Sequence, residues 1–295
     1  MFYRRKVILA LLEVFGGQLP QINLYKLLLI FTKQQHKPDY DFVPYQYGCY
    51  SFSLSADIDT MCRKEMLRKD DNKSLVKIDK TKYLANLTEA DNRIILSIHT
   101  RFADSTADDL MKYTYTRFPY TAISSSAAQR LLSVEELNAV NNCKPYSDST
   151  TLFTIGYEGI SLEEYLNRLI QNDVKVLVDV RNNPVSMKFG FSKSLLYKFC
   201  DKLGIEYIHI PEVGIQGGLR QELNTQADYD KLFRLYKKKN LTITISHQEQ
   251  ILALLKTKKR IALTCFEANI CQCHRKHLAE AITDLPGWDY ELKHI

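Results

Sequence analysis

The 295-residue chain has no apolar run approaching the roughly 20 residues that a transmembrane helix needs, so no membrane partner is expected. No secretory leader is expected. The start is basic and then apolar, but Glu13 interrupts the apolar run and no small-residue cleavage site follows. The expectation is a cytoplasmic protein. Charge of one sign is scarce too. Residues 1–150 and 151–295 each hold 20 Lys+Arg against 17 Asp+Glu, so the net +6 is shared as +3 and +3. That excludes a basic arm, and permits nucleic-acid binding without requiring it; a solvated mixed-charge surface fits equally well. No phosphate-binding P-loop, dinucleotide Gly-x-Gly-x-x-Gly or His-Glu-x-x-His is present, so no cofactor is indicated by motif. The seven cysteines are an odd number and mostly scattered, which in a cytoplasmic chain points to reduced thiols. The length suggests two domains.

What is present is concentrated in one stretch, residues 260–277. It opens as a short apolar strand ending at Cys265 and closes as an amphipathic helix carrying Leu278, Ala279 and Ile282 on one face. Between them stand Glu267, Cys271, Cys273, His274 and Arg275, the densest group of chemically capable side chains in the chain.

The first half reads as helical. Val7, Ile8, Leu11, Leu12 and Phe15 have helical spacing, Gly16 and Gly17 end that helix, and a second follows Pro20. Tyr40, Phe42, Tyr45, Tyr47 and Tyr50 lie in a turn-rich stretch, and a third helix is expected over 53–66. Two strand-like pieces, 75–78 and 82–86, bracket Asp79, Lys80 and Thr81 as a small basic hairpin. Three helices and a hairpin are the layout of a winged helix-turn-helix, and the order resembles the winged-helix segments beside toxin–antitoxin and defence-type domains. A domain over 1–118 is expected on this basis. The alternative is a generic helical domain that packs on a neighbour. If it binds DNA, Lys64, Arg68, Lys69, Lys73 and Lys77 are the phosphate contacts, with Arg63 beside them, and the tyrosines around Gly48 could stack on bases. Two further helices are expected over 88–102 and 104–115. Residues 119–150, rich in Ser, Ala and Asn, read as a linker with a short helix near 134–140.

From 151 the pattern changes to strands alternating with helices. Strands are expected at 151–156, 174–180, 205–210 and 260–265, with a closing strand near 288–292. Ser161 with Glu164 is a capping pair that opens the first intervening helix. Such alternation argues for an α/β domain over 151–295 with a mainly parallel, Rossmann-like sheet, whose ligand site lies beyond the carboxyl ends of the strands. The segments placed there are Gly156 to Gly159, Asp179 to Ser186, Pro211 to Arg220, and Glu267 with the Cys273-His274-Arg275 helix start.

Four of these segments in order also match a family. The run from Thr154 to Gly159, the run from Val178 through Asp179, Arg181 and Pro184 to Ser186, the run from Gly204 to Tyr207, and Cys265 to Glu267 with Cys273 to Arg275 resemble the signatures of domain of unknown function family 488. The resemblance covers the second half. It implies a Rossmann-like α/β fold and no established reaction. The glycines of 214–220 are similar to that family's glycine-rich loop, from which Ile215 and Gln216 depart.

Three chemistries fit the stretch around 265–277. A helix N-terminus with Arg275, helped by Arg181 and Arg220, suits a phosphate or nucleotide, with Tyr157, Ser186, Cys273 and His274 as further substrate contacts. Glu158, Asp179 and Glu267 are then the candidate general bases, for hydrolysis or transfer at a phosphate- or sugar-bearing substrate. Each carboxylate has a bland alternative: Asp179, for one, would serve equally as the salt-bridge partner of an arginine. A second chemistry is cysteine-dependent and rhodanese-like, but neither Cys271 nor Cys273 has the phosphatase-loop spacing to Arg275. Zinc on Cys265, Cys271, Cys273, His274 and His277 is the third; no Cys-x-x-Cys knuckle is present, and adjacent Cys273 and His274 on a helix would diverge. The expectation is an enzyme directed at nucleic acid, DNA favoured, or at a nucleotide or other small anion. The alternative is a non-enzymatic, ligand-sensing DNA-binding regulator.

Overall fold

The computed structural model describes residues 1–216, 223 and 225–295. The chain forms two compact units, Met1–Lys144 and Pro145–Ile295.

In the first unit the elements are α1 (Tyr3–Val14), β1 (Gln18–Pro20), α2 (Gln21–Thr32), β2 (Val43–Tyr45), β3 (Gly48–Tyr50), α3 (Phe52–Arg63), β4 (Leu67–Lys69) and β5 (Ser74–Lys77). Then come α4 (Glu89–Phe102), α5 (Ala107–Arg117), α6 (Ala128–Leu131) and α7 (Val134–Asn142). Helix α2 is apolar nearly all round, so it is buried from Asn23 to Thr32 and forms the centre of the core. The three-stranded antiparallel sheet has the order β1-β5-β4, and β2 with β3 makes a separate hairpin between α2 and α3. The first unit is thus mainly helical, with two small antiparallel sheets.

The antiparallel hairpin, β4 with β5, lies earlier than expected. The turn is at Asp70–Lys73, where Asp70 Oδ1 accepts from the Ser74 N–H at 2.6 Å and Lys73 takes a left-handed φ of 59°. Residues 82–86 are not a strand. The Asp79 carboxylate accepts from Tyr83 OH and the Thr81 N–H, which turns the chain out of β5. The Tyr83 N–H then bonds Glu13 Oε2 at 2.9 Å, and Leu84–Asn86 form a 3-10 turn. Nor are residues 119–144 a bare connection. Helices α6 and α7 pack Ala128 and Val140 against Met111 and Tyr115 of α5, and a Ser133–Glu136 capping box starts α7. Ala-rich sequence reads as linker, but small side chains also allow close helix packing.

In the second unit β6 (Thr151–Gly156), α8 (Leu162–Gln171), β7 (Val176–Asp179), α9 (Lys193–Lys202) and β8 (Glu206–His209) come first. They are followed by α10 (Gln226–Tyr236), α11 (Ile245–Lys258), β9 (Arg260–Cys265), α12 (His274–Thr283) and β10 (Glu291–His294). The five strands are all parallel, in the order β10-β6-β9-β7-β8. Every residue of β6, β7 and β9 is buried, as strands covered on both faces must be. Strand β9 inserts between β6 and β7, and the chain leaves it toward β10 while it leaves β6 and β7 the other way. Right-handed crossovers therefore place α8 and α9 on one face and α10, α11 and α12 on the other. The helices diverge at the carboxyl end of β9, which is the topological switch point where such sheets bind ligands.

Candidate functional site

Strands β6, β9 and β7 end side by side at Gly156, Cys265 and Asp179. The residues that follow them, Tyr157, Phe266 and the run Arg181 to Met187, surround a cleft of about 320 Å³ whose floor includes Cys265 and whose far side is Ile215. One wall is aromatic. Tyr157 stacks on Phe191 with centroids 4.1 Å apart, and Phe266, partly exposed, meets the Tyr157 ring edge-on at 5.4 Å. The other wall is polar, with Asn182, Asn183 and Ser186 beside Arg181. Val185 and Met187 are exposed at the rim.

Two glycines let the loops close in. A Cβ on Gly156 would stand 2.0 Å from the Glu267 carbonyl oxygen, and one on Gly214 would stand 2.3 Å from the Asn182 nitrogen. The loop after β9 can thus cross the end of β6. It is fastened there by Phe266 O, which accepts from the Tyr157 and Glu158 N–H groups at 3.1 and 2.9 Å. Glu158 Oε2 accepts from the Ala268 N–H at 3.0 Å, so this exposed carboxylate staples one loop to the other.

Asp179 and Arg181 form a closed pair beneath the cleft. Asp179 has no exposed surface, and four donors converge on it. These are the Arg181 N–H at 3.1 Å, Arg181 Nε at 2.8 Å, Arg181 Nη2 at 2.5 Å and the Tyr207 OH at 2.7 Å. A carboxylate with all its acceptor positions taken is an anchor, which is the salt-bridge alternative to a general base. Arg181 Nη1 donates to Tyr157 OH at 2.7 Å and to Phe191 O at 2.8 Å, which fixes the aromatic wall. Burial works against the guanidinium's charge, but the hydrogen bonds and field of Asp179 outweigh it and hold Arg181 firmly cationic. Burial, then the Asp179 charge, push the Tyr207 phenol far up, so Tyr207 stays a donor.

The Cys273-His274-Arg275 helix start also lies under the cleft and not along it; these residues are 0%, 1% and 2% exposed. Arg275 Nη1 donates to Glu267 O at 2.5 Å and Nη2 to Ala268 O at 3.4 Å, while its Nε has no partner among the described residues. The positive end of the helix is therefore covered by the protein's own loop, which corrects the expected anion pocket. Cys273 is no ready nucleophile either: burial, then its Cys265 neighbour, push its thiol well up. His274 Nε2 lies 3.1 Å from Val180 O and Nδ1 3.6 Å from Cys265 Sγ. Cys265 Sγ is 3.0 Å from Glu267 Oε2, and Glu267 is half-buried. The Cys265, Cys273 and His274 ligand atoms all lie within 4.8 Å of one another. Cys271 is exposed, outside that group.

Of the expected substrate contacts, Tyr157, Arg181 and Ser186 reach the cleft, and Arg220 lies outside the described residues. Residues missed among the contacts are Asn182, Asn183 and Phe266. All three stand inside the motifs around Asp179 and Glu267, but a side chain's wall is set by loop geometry. In the first unit Lys64, Arg68, Lys69 and Lys73 are exposed. Lys69 pairs with Asp59 at 2.7 Å, and Lys77 is turned inward onto the Asp79 and Thr81 carbonyls. Tyr25, Tyr45, Tyr47 and Tyr50 line a separate hollow of about 440 Å³ that also includes Lys73.

No helix among the described residues is long and apolar enough to cross a membrane. A family model described as a domain of unknown function, DUF488, matches residues 161–282, within the second unit. No curated protein and no solved structure matches the chain.

Proposed function

We propose, with a DUF488 domain over residues 161–282 as the premise, that the second unit is an enzyme acting on a nucleotide or nucleic acid, by hydrolysis or group transfer at a base or sugar. One observation carries the reading: the cleft at the switch point sets an aromatic wall against two amides, above a thiol–carboxylate pair at its floor. Aromatic faces stack on heteroaromatic rings, and asparagine amides match the donor–acceptor edge of a base. Arg181 is matched by Asp179 and Arg275 is turned onto loop carbonyls, so both guanidiniums are engaged within the protein. That favours a neutral ring in the cleft over a phosphate. Glu267 is the acid–base group, since Asp179 is saturated and Glu158 holds a loop.

The first unit supports nucleic acid as the source of that nucleotide, DNA favoured. Its arrangement is winged-helix-like, and Lys64, Arg68 and Lys73 are exposed around α3 and the wing.

Product analysis tests this. The purified protein is incubated with single- and double-stranded DNA and RNA, plain and base-modified, and the products are read by mass spectrometry. Glu267→Gln is expected to lower product formation about 10²–10⁴-fold while binding survives. Binding without product in every case, with ligand altering DNA affinity, would replace the enzyme by a ligand-sensing regulator.

A further inference from the structure

The adjacency of Cys273 and His274 speaks against a shared metal only if both sit on the helix. Cys273 does not. It is the residue before α12, with an extended backbone (φ −127°, ψ 134°), while His274 opens the helix. That change of backbone lets two neighbouring side chains turn to one point, and Cys265 comes to the same point from the end of β9.

We propose that Cys265, Cys273 and His274 bind a divalent transition-metal ion of the zinc class at the floor of the cleft. The spacing fits. With Zn–S of about 2.3 Å and Zn–N of about 2.0–2.1 Å, a tetrahedral angle puts sulfur and nitrogen about 3.5 Å apart. Cys265 Sγ and His274 Nδ1 are 3.6 Å apart. The histidine is also oriented as a ligand. Nε2 faces the Val180 carbonyl at 3.1 Å, which assigns it the proton and turns the Nδ1 lone pair toward Cys265. Tyr236 packs edge-on against the His274 ring at 5.6 Å and holds its plane.

The charge environment agrees. Arg275 is 2% exposed, and its hydrogen bonds go to the Glu267 and Ala268 carbonyls. Its Nε has no partner, an uncommon state for a buried cation. Two thiolates and one divalent ion carry no net charge, but they leave electron-rich sulfur beside that guanidinium.

Three protein ligands leave a fourth position, which catalytic zinc sites give to water. Cys265 borders the cleft, and Glu267 Oε2 lies 3.0 Å from its sulfur. A bound water there would give a proton to the Glu267 carboxylate and add as hydroxide to a ring carbon bearing an amino group; Glu267 would pass that proton to the amine, the C–N bond would break, and ammonia would leave with a carbonyl formed on the ring. Zinc deaminases hold their metal with the same donor types and use a non-ligating Glu for the proton. This water step rests on the nucleotide reading; the metal site does not.

Metal analysis separates the two. Protein purified, stripped with chelator and dialysed against zinc is expected to hold about one ion per chain. Cys273→Ser and His274→Ala should lose it at least about tenfold, and Cys271→Ser, on the exposed cysteine, should keep it. Cobalt in wild-type protein decides the matter even where a variant does not fold. Thiolate-to-cobalt charge transfer with intense tetrahedral bands is the expected spectrum. Substoichiometric zinc in wild type, a cobalt spectrum without the thiolate band, or full metal retention by Cys273→Ser would each overturn the site. Full metal with no nucleotide product would instead remove only the water step.

Discussion

Arg181 and Arg275 lie buried under the same edge of one sheet and are held in opposite ways. Arg181 shares both carboxylate oxygens of Asp179 and spends its other donors on Tyr157 and Phe191. Among the described residues Arg275 donates to backbone carbonyls, and its Nε has no partner there. The first arrangement is a finished structural device, in which charge is cancelled and rings are fixed. The second leaves a buried cation whose hydrogen bonds go to carbonyl oxygens and not to a carboxylate. A buried pair of charged residues is therefore not by itself a reactive one; saturation of its hydrogen bonds separates scaffold from site.

Substitutions break the comparison unequally. Asp179→Asn strands Arg181 as an uncompensated buried charge and should cost about 3–5 kcal/mol, read from denaturant unfolding. Arg275→Met removes two hydrogen bonds to carbonyls but also removes a buried, unpaired charge. The metal-free protein should then stay within about 1 kcal/mol of wild type in the same measurement. Equal costs for the two would mean that Arg275 has a counter-charge after all.

Much of this edge was legible in the sequence, because β-strand ends are marked by where apolar runs stop. Gly156, Asp179 and Cys265 each end such a run, and the parallel sheet aligns them. Helix starts were legible where a side chain caps them, as at Ser161, whose hydroxyl accepts from the Glu164 N–H at 2.9 Å. Composition misled where one residue type serves two purposes. Asp179 reads equally as base or anchor until Tyr207, 28 positions on, is seen to donate to it. Cys273 reads as helical until its extended backbone is known. The β4–β5 hairpin was misplaced because Lys73 in its turn takes a left-handed φ with no glycine to announce it. The burial of Arg275 depends on a loop from β9 folding back over the end of β6, a long-range event that local pattern does not encode.

The central claim, that a base occupies the cleft between the Tyr157–Phe266 wall and the amides of Asn182 and Asn183, is tested most directly by photocrosslinking. An oligonucleotide carrying 5-iodouracil is irradiated with the protein, and the adduct is mapped by peptide mass spectrometry. Adducts on Tyr157 or Phe266, with the Phe266 adduct absent in Phe266→Ala, are the expected result. Adducts confined to residues 1–144, or none, would contradict the account.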